Sequence, residues 1–129
     1  MKQALLDTNF INSCTSQKID FIHDLKIMGY EIIIPQEVIK EINGLSNSKG
    51  KGTKLKISSN IASNIINLNR EQLKIVSIGE GEVDNQIVKY AKLHPETVIA
   101  TLDNELKSKI KASPKIVIRD RRSLEVSSK

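Results

Sequence analysis

The sequence has no tryptophan, two tyrosines, two phenylalanines and a single cysteine. With so few rings the core must be aliphatic, and stacking of nucleobases on exposed aromatics has little support from Phe10, Phe21, Tyr30 and Tyr90. One thiol, Cys14, excludes a disulfide framework and a thiolate metal cluster, suits a reducing compartment, and reads as a small core residue. No apolar run approaches the ~20 residues that a membrane-spanning helix needs. The N-terminus also lacks the basic, apolar and small-residue succession of a secretory signal, so a cytoplasmic protein with no membrane partner is expected. The two histidines, His23 and His94, both fall away from strand ends, where a general base would be useful. What remains is an ordinary globular composition, 39% hydrophobic and 27% charged in 129 residues, read as one domain spanning 1–129. The formal net charge of +5 admits a polyanionic partner.

Periodicity alternates between strand and helix with little spare linker. Gln3 to Asp7 reads as a strand, Asn9 to Ser13 as a short helical turn, and Ile19 to Met28 as a helix stopped by Gly29. The unbroken run Glu31-Ile32-Ile33-Ile34 marks a strand covered on both faces. Pro35 then opens a helix from Gln36 to Leu45. A Ser/Gly/Lys loop separates it from a long helix over Thr53 to Asn69, with Leu55, Ile61, Ala62, Ile65, Ile66 and Leu68 on a broad apolar face. Strands at 73–76, 97–101 and 115–118 alternate with helices at 82–93 and 104–112. The pattern predicts a three-layer α/β/α sandwich around a mostly parallel sheet of four to five strands, whose carboxyl ends share one rim.

Acidic residues collect at that rim. Asp7 ends the first strand, Asp103 follows the fourth, Asp84 shares a helical face with Ile87, Val88 and Ala91, and Glu41 flanks the apolar stripe of its helix. Each has a plainer reading. Asp7 and Asp103 suit helix N-caps, Asp84 complements a helix dipole, and Glu41 suits an ion pair with a lysine; Glu37, just after Pro35, also suits the dipole. Jointly they are harder to dismiss, since two like charges ~4 Å apart repel by roughly 4 kcal/mol at an effective dielectric of 20. A divalent cation would relieve that repulsion, and an all-oxygen donor set suits Mg²⁺ or Mn²⁺. Such an ion lowers the pKa of a water and stabilises a leaving alkoxide, which points to phosphodiester hydrolysis.

Four pieces of sequence carry a resemblance across nearly the whole chain: Leu6-Asp7-Thr8-Asn9, Pro35 through Ile42, Val83-Asp84-Asn85-Gln86-Ile87, and Ile99 through Lys107. In order and spacing they resemble the PIN-domain nucleases. The resemblance implies a site of Asp7, Glu41, Asp84 and Asp103 holding one or two Mg²⁺ or Mn²⁺ ions and cleaving RNA in single-stranded or loop regions. It implies that Thr8, Asn9 and Thr101 orient those acids. The ending Lys115 to Arg122 resembles rRNA-processing and archaeal-type PIN proteins more than the toxin type, and Leu102 departs from the polar residue of many relatives.

Among basic residues, Lys49, Lys51 and Lys54 crowd the loop and the helix start, where a solvated face is the plainer account. Of only four arginines, Arg119, Arg121 and Arg122 fall together, suited to phosphate contact or to pairing with Asp120 or Glu125. Gly44 to Gly52 fails as a phosphate loop in spacing and context, and Asp84 stands where a dinucleotide fingerprint needs its third glycine. The function expected is a metal-dependent endoribonuclease in RNA processing. The competing readings are an RNA-binding assembly factor with weak or no activity, and a toxin ribonuclease blocked by an antitoxin peptide. Pairing of two chains is compatible with any of them.

Overall fold

In the computed structural model, which describes residues 2–47 and 52–127, the layers follow from the two-residue alternation of the first strand, β1 (Lys2–Leu6). Ala4 and Leu6 point into one core with Ile32, Ile34 and Ala100, while Leu5 points into a second with Ile33 and Ile99. The first core is roofed by α1 (Thr8–Ser16), α2 (Phe21–Ile27), α3 (Gln36–Asn47) and α4 (Thr53–Leu68). The second is roofed by α5 (Val83–Leu93) and α6 (Asn104–Lys109), through Ile87, Ala91 and Leu106. Three layers result, as expected for strands buried on both sides.

The remaining strands are β2 (Tyr30–Pro35), β3 (Leu73–Val76), β4 (Val98–Ala100), β5 (Lys115–Arg119) and β6 (Ser123–Ser127), and the sheet order is β3-β2-β1-β4-β5-β6. All neighbours pair in parallel except β5 with β6. The chain therefore winds outward from β1 in one direction to β2 and in the other to β4. That reversal opens a crevice at the carboxyl ends of β1 and β4, where open α/β sheets bind ligands. Leu6 pairs with Ala100 across it, and Asp7 N–H donates to the Ala100 carbonyl at 3.0 Å.

Three expectations are corrected. The sheet has six strands, not four or five, because the chain turns back after Arg119 and Ser123-Leu124-Glu125-Val126-Ser127 adds an antiparallel edge. Asp120 and Arg121 take φ of +54° and +58° at that turn, and Arg122 N–H closes it on the Arg119 carbonyl at 3.1 Å. Two successive positive φ angles match the twist of a hairpin, although the pair Asp-Arg lacks the glycine that usually announces such a turn. Second, α1 runs to Ser16 instead of ending near Ser13. Third, α4 buries only part of its broad aliphatic face, Ala62 and Ile66 with Ile65 packed beside them. It packs through Ser58, Ser59, Ala62 and Ile66, leaving Leu68 85% exposed and Ile57 and Ile61 half open. Small residues at four-residue spacing let the helix backbones approach, which favours that face over the bulkier one. Gly29, at φ +90°, ends α2 as expected. No helix among the described residues is long and apolar enough to cross a membrane.

Candidate active site

Asp7 leaves β1 and becomes the N-cap of α1, so its carboxylate is built into the seam between strand and helix. Its Oδ1 accepts the Thr8 N–H at 2.8 Å, and its Oδ2 accepts the Thr101 hydroxyl at 2.9 Å. Only 3% of the residue is exposed, and among the described residues no lysine, arginine or histidine lies within ion-pair distance of it. Burial drives its pKa up to about 6; the hydrogen bonds from Thr101 and Thr8 oppose the rise, and the negative charges of Asp84 and Glu41 add to it.

The loop after β4 is tied to the same seam. Thr101 Oγ1, besides donating to Asp7, accepts the Asp103 N–H at 3.1 Å, and Asn9 Oδ1 accepts the Leu102 N–H at 3.4 Å. Thr101 and Asn9 thus hold the carboxyl ends of β1 and β4 in register, as an orienting role requires. Asp103 caps α6, with Oδ1 accepting the Glu105 N–H at 2.9 Å and the Leu106 N–H at 3.3 Å. The capping account of Asp7 and Asp103 is therefore correct as far as it goes. At each residue the helix N–H groups take one carboxylate oxygen and leave the other for another partner.

Asp84 stands in the first turn of α5. Burial raises its pKa first, and the Asp103 charge, a side-chain hydrogen bond shared with Asp103, and the Glu41 charge raise it further. Glu41 projects from α3 at the solvent edge. A single cleft of about 860 Å³ is lined by all four acids together with Lys54 and Leu55 of α4. Among the described residues no three His, Cys, Asp or Glu side chains are close enough together to ligate one ion as they stand. Asp84 and Asp103 meet as a pair, while the four acids do not all converge on one point. As a donor set they are hard oxygens throughout, which fits Mg²⁺ or Mn²⁺ and no softer metal.

The basic residues divide. Lys54 lines the cleft, Lys49 and Lys51 lie outside the described residues, and Arg119 is occupied by Glu125 through Nη2 to Oε1 at 2.9 Å and a second contact from Nε. Arg121 and Arg122 are exposed on the β5–β6 turn, at the same end of the sheet as Asp7. Glu37, read as a dipole acid, has a more specific task. Its carboxylate accepts Ser77 Oγ at 2.7 Å and Ile78 N–H at 3.0 Å, anchoring the segment that leads to Asp84. Slight desolvation would raise its pKa, but these bonds outweigh it and hold the group low.

Among the residues of the cleft that sequence reasoning missed are Glu82, at the N-cap of α5, and Asn12 on α1. Asn12 had a signal. Thr8, Asn12 and Ser16 recur at four-residue spacing, a polar stripe that emerges once α1 is drawn at full length.

The sequence profile of the PIN-like domain family matches residues 4–123, from within β1 to the start of β6 and across all four acids. The chain belongs to that family. It is similar to the ribonuclease VapC4 of Methanocaldococcus jannaschii, at 28% identity over 131 residues, covering 98% of this chain and 97% of the relative. Its fold is similar to the structure of the PIN domain endonuclease Utp24, with a TM-score of 0.78 at 25% identity, covering 98% of this chain and 92% of the other. Both likenesses run end to end, so the PIN-like resemblance is to whole chains and not to a shared fragment.

Proposed function

We propose that this PIN-like chain is an endoribonuclease that hydrolyses phosphodiester bonds in single-stranded or loop regions of RNA with Mg²⁺ or Mn²⁺. The observation that carries the reading is that acids from four separate elements line one cleft, at the point where the sheet reverses its winding. A ribonuclease and an endonuclease among its relatives support it.

Asp7, Asp84, Asp103 and Glu41 are the residues that would hold the metal. When bound, the ion activates a water, polarises the phosphoryl oxygen and neutralises the leaving alkoxide. The chain's own groups supply the frame for that chemistry. The Thr8 N–H and Thr101 hydroxyl fix the plane of the Asp7 carboxylate, and the α6 N-terminus fixes Asp103. Lys54 lines the cleft with the acids and offsets the charge of an incoming phosphate; Arg121 and Arg122 attract the strand from the rim. In the overall reaction a water oxygen bonds to phosphorus as one ester P–O bond breaks, and the departing oxygen takes up a proton.

The test is incubation of wild type and Asp7→Asn with single-stranded RNA and Mn²⁺, with and without chelator. Cleavage that needs both Asp7 and free metal supports the reading. Equal cleavage by both proteins, or cleavage indifferent to chelator, overturns it. Tight RNA binding with no cleavage transfers the chain to the assembly-factor class.

A further inference from the structure

Two polar side chains in the cleft are left over by the mechanism above. Thr8 and Asn12 lie about one turn apart on α1, at 5% and 6% exposure, and both line the cleft that contains Asp7. Thr8 gives its N–H to Asp7, but its Oγ1 has no hydrogen-bond partner, and neither has Asn12 Oδ1. The backbone beside them is satisfied, since Ser58 Oγ donates to the Asn12 carbonyl at 2.9 Å and joins α4 to α1 at this level. Of the buried side-chain oxygens that lack partners among the described residues, these two line the cleft.

A buried oxygen left without a hydrogen bond is destabilising, because it has lost water and gained nothing in return. Valine for Thr8 or leucine for Asn12 would fill comparable space without that cost, so packing does not account for the pair. Asn12 Oδ1 can only accept, which restricts what could complete it. A phosphate oxygen carries no proton to give. The donor nearest to phosphorus along an RNA strand is the ribose 2′-hydroxyl, which is donor and acceptor at once and is the group that separates RNA from DNA. A carboxamide is broad in its last torsion and can swing to present its oxygen to the cleft, and a threonine hydroxyl can match either sense. Thr8 and Asn12 are about 6 Å apart along the helix axis, beginning one residue after Asp7. A sugar attached to a phosphate held at Asp7 falls within that span.

We propose that Asn12, with Thr8, accepts the 2′-hydroxyl of the nucleotide flanking the scissile phosphate, so that this part of the cleft distinguishes ribose from deoxyribose. The inference rests on the nuclease reading of the cleft, and it assigns to α1 a selectivity that the acids themselves cannot supply.

The test uses the full chain with Mn²⁺ and two single strands of one sequence, an all-ribose strand and one carrying deoxyribose at the nucleotides flanking the mapped cut. Wild type is expected to cleave the all-ribose strand about tenfold faster or more. Asn12→Leu and Thr8→Val are expected to bring the two rates together by slowing the all-ribose strand. If Asn12→Leu melts too low to assay, Asn12→Ser serves instead and must also narrow the ratio. A wild type indifferent to the sugar, or variants that keep the full preference, overturns the inference and leaves the nuclease reading standing. A wild type that cleaves neither strand removes both.

Discussion

Thr101 donates its hydroxyl to Asp7 Oδ2 at 2.9 Å across ninety-four positions of sequence, and Thr101 Oγ1 in turn accepts the Asp103 N–H at 3.1 Å. One threonine therefore sets the distance between two acids that end neighbouring strands. Replacing it by valine keeps the shape and removes both bonds, leaving Asp7 Oδ2 and the Asp103 N–H unsatisfied. Thr101→Val is expected to lose roughly 1–3 kcal/mol of stability in denaturant unfolding and to lower RNA cleavage sharply. Thr101→Ser, which retains the hydroxyl, is expected to recover most of both.

Asp7 makes stability depend on pH. Its pKa is 3.8 for an unperturbed carboxyl and about 6 in the folded chain, so the native state holds the proton more tightly than the unfolded state does. Asp7 therefore imposes no penalty below pH 3.8, a growing one between the two values, and its full penalty, on the order of 3 kcal/mol, above pH 6. Thermal melts of the metal-free protein should show Asp7→Asn more stable than wild type at pH 7.5. That advantage should shrink as pH falls through the window and be absent near pH 3.8.

Metal binding should follow the same curve in reverse. A divalent ion binds the ionised acids of the folded state, so millimolar Mn²⁺ should raise the melting temperature at pH 7.5 and much less near pH 4.5. Asp84→Asn and Asp103→Asn should each weaken the effect at neutral pH. Calcium-free differential scanning calorimetry at both pH values is the check, and equal shifts at both would count against the acids as ligands.

The arginines of the β5–β6 hairpin should separate by role. Arg119 is engaged with Glu125 at an exposed position, so Glu125→Ala should change stability by about 1 kcal/mol or less. Arg121 sits at φ +58°, where glycine is unstrained. Arg121→Gly should raise stability slightly while weakening RNA binding and flattening its dependence on salt. Filter binding across a salt series, beside a melt, reads both effects from one protein.

Asp7, Asp84 and Asp103 were legible in the sequence because each sits at a strand end or in the first turn of a helix, and parallel winding sends those positions to one rim; Glu41, in the second turn of α3, was marked by its place beside the apolar stripe. The side of α4 that would be buried was legible only in part, through Ala62, Ile65 and Ile66. Leu55, Ile61 and Leu68 are individually more hydrophobic than Ser58 and Ser59, yet both serines are buried and Ser58 bonds to α1, because close approach of backbones outweighs side-chain size there. The strand β6 was hidden for a related reason. Its alternation of Leu124 and Val126 with Ser and Glu is short, and the turn before it relies on positive φ at Asp and Arg, which composition does not reveal. Asn12 and Glu82 escaped because neither stands at a strand end; they join the cleft only through helix packing and the turn before α5.

Two of the four acids also begin helices, and two do not. Asp7 and Asp103 each spend one oxygen on backbone amides at the start of α1 and α6, whereas Asp84 and Glu41 support no helix end with their side chains. A descendant of this chain that abandoned cleavage would stay folded after shedding Glu41 and Asp84, but would still need a capping residue at positions 7 and 103. Loss of chemistry in this lineage should therefore be written first in the third and fifth helices, and the aspartates that look most catalytic should be the last to disappear.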